Sequence, residues 1–172
     1  MNGRGMAEFA ERETKAVSLA QRRIASQAFT TLFREGMEMV EQTAAYLDGD
    51  GRDDSRDFER PLLHLYAQQS MRLSTRLMQL ASWLLLQRAV VEGEMSPADA
   101  RREGAKVDLE GPERDEEAEA LLPQGLRALI GRSHDLQHQI RQLNATLDEP
   151  SEAPRNEVAG QIGRLRTAFE RG

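Results

Sequence analysis

The chain has 172 residues, 39% hydrophobic and 30% charged, with a formal net charge of −6. That length suits one domain with an apolar core, since a domain of ~150 residues buries roughly 70% of its unfolded surface. The acidic balance argues against duplex nucleic acid or an anionic membrane as the main partner, and zero cysteines exclude disulfide scaffolds, thiolate metal sites and cysteine nucleophiles.

The longest near-apolar run, Leu80 to Leu86, is far too short for a bilayer. Residues 1–15 carry acids and no apolar run, so no signal peptide is expected and a cytoplasmic location follows as the default. Residues 1–13 have glycine and mixed charge without a period, and read as a flexible N-terminus. The bundle domain is expected over 14–149, and 150–172 reads as a flexible tail.

The first helix is predicted over Lys15–Leu47, with Phe29, Phe33, Gly36, Val40, Thr43 and Leu47 at steps of four and three. Gly36 costs ~1 kcal/mol relative to alanine, which suggests close approach by a neighbouring helix. Asp48-Gly49-Asp50-Gly51 stops it, the glycines being expected to supply positive φ. The second helix is predicted up to Gly93, with Ser55 or Asp57 as N-cap and Pro61 in its first turn. Its stripe is Tyr66, Ser70, Leu73, Leu77, Leu80, Leu84; a parallel row holds Leu63, Ala67, Met71, Met78, Ala81 and Leu85, and Leu65, Trp83, Leu86 and Val90 lie on another side. A helix apolar nearly all round needs cover on more than one face.

Residues 94–120 read as a long polar connection. Ser96-Pro97-Ala98-Asp99 resembles an N-cap, an N1 proline and a capping-box acid. Residues 99–119 hold nine acids and four bases, a balance of −5. The third helix is predicted over 114–148, with Leu122, Leu126, Leu129, Ser133, Leu136, Ile140, Leu143 and Leu147 in heptad register; Pro123 should kink it or mark its first turn. In the tail, Val158, Ile162, Leu165 and Phe169 recur at four, three, four, the spacing of a short amphipathic helix weakened by Gly160 and Gly163. No β pattern appears.

The expected fold is all-α, an antiparallel three-helix bundle. Apolar faces on the second helix, with Phe33, Met37 and Met39 on the first, exceed what three helices cover. A homodimer follows, with Met71, Met78, Trp83, Leu85, Leu86 and Val90 as the candidate dimer or partner surface. The competing expectation is that residues 94–120 cover them.

Chemistry-bearing patterns are weak. His134 and His138 have zinc-hydrolase spacing, but Leu136 and Ile140 hold the core register, so both histidines are expected to point to solvent. His64 lacks the x-x-Lys-Gly of a phosphotransfer histidine, being followed by Leu65-Tyr66-Ala67. Asp48, Asp50 and Glu59 match calcium-loop positions, but Arg52 and Asp53 occupy a ligand and the obligatory glycine. No phosphate loop or nucleophile elbow appears. Neither an enzyme nor a cofactor is expected; the rival reading is a phosphorelay or metal-binding signalling domain.

The run from Ser26-Gln27-Ala28-Phe29 through Leu32-Phe33-Arg34-Glu35-Gly36-Met37 to Ala44-Ala45-Tyr46-Leu47-Asp48-Gly49-Asp50-Gly51-Arg52 resembles the alphaproteobacterial family of the regulator of CtrA degradation, RcdA. So does Ser70-Met71-Arg72-Leu73-Ser74-Thr75-Arg76-Leu77-Met78-Gln79-Leu80-Ala81-Ser82-Trp83-Leu84-Leu85. The likeness spans roughly residues 17–147. It implies a dimeric helical bundle that works as an adaptor of the ClpXP protease. Such an adaptor acts with a response-regulator-like priming factor, on cargo such as CtrA, at a cell pole. The tail residues Val158, Ile162, Leu165 and Phe169 are the candidate partner motif on this reading.

Overall fold

The computed structural model describes the backbone of residues 3–148 and the side chains of residues 26–147. Six helices follow in order: α1 Gly3–Asp48, α2 Asp50–Ser55, α3 Arg60–Val91, α4 Pro97–Gly104, α5 Glu116–Ala120 and α6 Gln124–Asp148. Among the described residues there is no strand.

The long helices α1, α3 and α6 each pack against the other two. Along α1 and α6 the contacts run in opposite senses. Arg132 donates to Gln42 at 2.7 Å, while a Cβ on Gly36 would meet Leu136 and one on Gly125 would meet Tyr46. Helix α1 is likewise antiparallel to α3, since Gly36 faces Leu84 whereas Tyr46 meets Tyr66 over Gly51. Between α3 and α6, however, the numbers rise together: Arg76 bonds Ser133 and Trp83 bonds Asn144. These two helices are parallel, whereas successive long helices of the expected antiparallel bundle would alternate in direction. A parallel neighbour needs a connection that travels back along the bundle, and residues 92–123 provide it.

That connection is built, not loose. Gly93 ends α3 with φ 76°, a conformation glycine adopts without a Cβ penalty. Ser96 Oγ caps α4 by accepting from Asp99 N–H at 3.1 Å, with Pro97 in the first turn. Asp108 N–H then donates to Gln79 Oε1 at 3.1 Å. Gln137 Nε2 donates to the carbonyls of Leu109 and Glu110 at 2.8 and 2.7 Å. Asp115 caps α5 through Ala118 N–H, and Pro123 separates α5 from α6, so the helix predicted over 114–148 is two helices.

The core stripe of α3 is that of the sequence, with Tyr66, Ser70, Leu73, Leu77, Leu80 and Leu84 buried; that of α6 holds from Leu122 through Leu126, Leu129, Ser133 and Leu136 to Ile140, after which Leu143 is half-buried and Leu147 exposed. On α1 the buried line is Leu32, Gly36, Met39, Thr43. Met39 is fully buried and Val40 is exposed, so Met39 belongs to the core and not to a surplus face. Helix α1 also begins at Gly3 instead of Lys15. No proline interrupts residues 3–15.

The expected loop after α1 contains α2. Its glycines are there for space, not for φ: Gly49 has φ −114°, and a Cβ on Gly51 would lie 2.5 Å from Tyr66 Oη and 2.8 Å from the Tyr46 carbonyl. Tyr46 Oη donates to Asp54 at 2.9 Å. Burial, then this carboxylate, pushes its phenol pKa well up, and the residue serves the corner. Helix α3 starts after Glu59, in extended backbone, with no side-chain cap bond; neither Ser55 nor Asp57 fills that role.

Candidate functional site

Helix α3 explains where a partner surface can form. Two of its sides face α1 and α6. A third side, carrying Trp83 and Val90, is partly covered by α4 and residues 105–110, which leave a groove along it. The fourth has no cover among the described residues. Along it Leu63, Met71, Met78 and Leu85 are 45%, 71%, 69% and 53% exposed, at steps of eight, seven and seven, which keep them on one face. Unbranched, polarizable methionines suit a surface that adapts to a partner.

The sequence-named surface residues therefore divide. Met71, Met78 and Leu85 are exposed together; Leu86 and Val90 are half-buried. Trp83 is 1% exposed and donates from Nε1 to Asn144 Oδ1 at 2.8 Å, so it is a core residue. Here the connection supplies the cover that the sequence left undecided. Arg88 sits 4.9 Å from the centre of the Phe33 ring and pairs with Glu92 at 2.7 Å. The tail residues Val158, Ile162, Leu165 and Phe169 lie outside the described residues.

A polar cluster sits between α3, α5 and α6. Buried Arg76 donates from Nη1 to Ser133 Oγ at 2.9 Å, and Ser133 donates to the Ile130 carbonyl at 2.7 Å. Arg114 pairs with Glu119 at 2.9 Å, and the Glu119 side chain is 6% exposed. Arg76 Nε has no hydrogen-bond partner. Burial lowers the Arg76 pKa from its ordinary value, and Glu119 opposes that. The sequence carried one signal of this cluster: Ser133, a hydroxyl in a leucine heptad, demands a polar partner.

His134 belongs to this cluster, against the expectation of a solvated histidine. It is half-buried, because α5 and the connection lie over that side of α6. Burial, then the neighbouring Arg76 charge, lowers its pKa; Glu119 and a bond to Gln137 act the other way. His138 is exposed and contacts Gln142 at 2.9 Å, so the two histidines share no site. His64 is exposed on α3. In the 48–59 segment Asp48 pairs with Arg52 and Asp53 with Arg56. Among the described residues no group of three or more His, Asp or Glu is placed to hold a metal ion.

The lowered His134 pKa sets a pH dependence. The unfolded chain takes up this proton near the ordinary value of about 6.5, whereas the folded chain resists it. Stability from the neutral ring is complete above that value and is lost as pH falls toward the folded-state pKa. Urea midpoints measured across this window should fall with acidification more steeply in the native chain than in His134→Gln. Equal slopes would remove His134 as the cause.

Residues 20–169 match the family model described as "Protein of unknown function (DUF1465)". The crystal structure of RcdA from Caulobacter crescentus CB15 is similar at 47% sequence identity and a TM-score of 0.60. The match covers 72% of this chain and 92% of that one. The chain belongs to the RcdA family. No curated protein matches it. The DUF1465 match extends to residue 169 and so takes in all four apolar residues of the tail. No helix among the described residues is long and apolar enough to cross a membrane.

Proposed function

We propose that this RcdA-family chain is a non-enzymatic adaptor that promotes ClpXP-dependent degradation of cell-cycle regulators such as CtrA. The observation that carries the reading is the 47% identity to RcdA over 92% of that chain. The adaptor works in the cytoplasm at a cell pole, together with a response-regulator-like priming factor. Its mechanism is tethering: cargo held beside the unfoldase sees an effective concentration in the millimolar range that a short flexible link gives. The tail, with Val158, Ile162, Leu165 and Phe169, takes part as a partner-binding segment.

The test is reconstitution. ClpXP, priming factor and cargo are mixed with and without the chain, and cargo loss is followed on gels. Faster loss only when all components are present is expected; loss at the same rate without the chain overturns the reading.

Two copies associate through the open face of α3 in this proposal. Burying a methionine is worth about 1.5–3 kcal/mol. Met71→Asp with Met78→Asp should therefore weaken self-association on the order of 100-fold or more, with the helical circular dichroism unchanged. Sedimentation equilibrium reads the result, and an unaltered dimer would place the interface elsewhere.

A further inference from the structure

At the far end of the bundle, α3, α4, residues 105–110 and the end of α6 enclose a groove of about 670 Å³. Trp83, Val90, Ala100, Val107 and Leu109 line it, and Leu147 stands at its edge, 46% exposed. That volume is in the range of small-molecule sites, but the lining is largely aliphatic and no cluster of catalytic groups points into it. Its polar side chains include Asp108, Glu110 and Arg101, set in the connection whose balance is −5.

We propose that this groove is the seat of the chain's own tail, with Val158, Ile162, Leu165 and Phe169 as the apolar side chains that enter it. Three observations converge. Helix α6 delivers the chain to the groove, because Leu147 lines it and Asp148 ends the helix. The nine residues Glu149–Glu157 span up to ~30 Å when extended, while the groove's floor from Trp83 to Val90 is only ~10 Å of helix. The charges agree modestly: residues 158–172 carry Arg164, Arg166 and Arg171 against one acid, Glu170, and the groove is lined by Asp108 and Glu110 against one base, Arg101, with Glu110 also paired to Arg141. Tail docking goes beyond cargo delivery, and holds whether or not the chain is a protease adaptor. If it is one, a partner that binds the tail must first lift it from the groove.

The chain lacks cysteine, so Thr167→Cys carries a nitroxide at one site, off the apolar face of the tail. In the full-length ¹⁵N-labelled chain the label should broaden the amide signals of residues 100–109 and leave those around Gly51, which packs on Tyr66 at the opposite end of α3, sharp. Leu165→Asp with Phe169→Asp should restore the lost signals. These changes lie outside the bundle, and circular dichroism checks that it stays folded. A second sample mixes unlabelled spin-bearing chain with ¹⁵N chain lacking the spin. Broadening there would mean the tail of a second copy fills the groove, and would overturn docking in the same chain. Absence of broadening in the first sample, or broadening along Met71–Leu85 instead, would overturn it equally.

Discussion

Trp83→Ala should lower the unfolding free energy by about 3–5 kcal/mol, the range for a large core aromatic truncated to alanine. Stability of a domain is about 5–15 kcal/mol in total, so this one change removes a large share of it. The indole is 1% exposed and lies where α3, α4, α6 and the connection meet. Its removal opens a cavity that four elements would have to close together, and α4 and residues 105–110 have few other apolar anchors, Ala100, Val107 and Leu109 among them. Trp83→Phe keeps most of the apolar volume and gives up one hydrogen bond, worth about 1 kcal/mol. Urea unfolding followed by circular dichroism distinguishes the two, since the substitution removes the chain's single tryptophan and its fluorescence. A cost near that of the phenylalanine variant would show that the connection does not depend on this ring.

Trp83 also marks where reading the sequence stops. Period tells which residues share a side of a helix; it does not tell what covers that side. On α6 only one side is apolar, so the heptad and the buried line coincide from Leu122 to Ile140 and part only in the last turns, where Leu147 is exposed. On α3 every side is apolar in its second half, and Trp83 and Leu85 looked equally free. The connection settles that, through bonds such as Gln137 to the Leu109 carbonyl that no spacing encodes. The same bonds make α3 and α6 parallel neighbours. On α1 the mixture of apolar residues at 32–33, 36–37 and 39–40 left two rows one position apart, and contact with Leu84 and Leu136 at Gly36 selects the row through Met39. The exposed methionines of α3 were legible as a row, because they lie off its Tyr66–Leu84 stripe. Of the polar cluster only Ser133 was legible: Arg114 and Glu119 are five residues apart, but Arg76 and Ser133 lie 57 residues apart and come together only in the fold.

Glu119→Gln should cost about 1–2 kcal/mol, between an exposed ion pair and a fully buried one, because Glu119 is buried while its partner Arg114 is not. Arg114 is 42% exposed, so it turns to water when its partner loses charge. Arg76 has no such escape. It is buried, its Nε lacks a partner, and Glu119 is the carboxylate that favours its charged form. The uncompensated charge that remains is therefore that of Arg76, and this gives the expectation its sharpest form. Replacing the guanidinium by an apolar side chain of similar length, Arg76→Met, removes the unbonded buried Nε and leaves Glu119 paired with Arg114, so it should change stability by no more than about 1 kcal/mol. In the Arg76→Met background Glu119→Gln should then cost much less than it does alone, because the charge it was compensating is gone. Urea midpoints of the two single variants and the double variant close the cycle. Additive costs would mean that Glu119 acts only through Arg114 and that Ser133 alone satisfies Arg76. Strong coupling would mean that α5 is held on the bundle by a charge in α3.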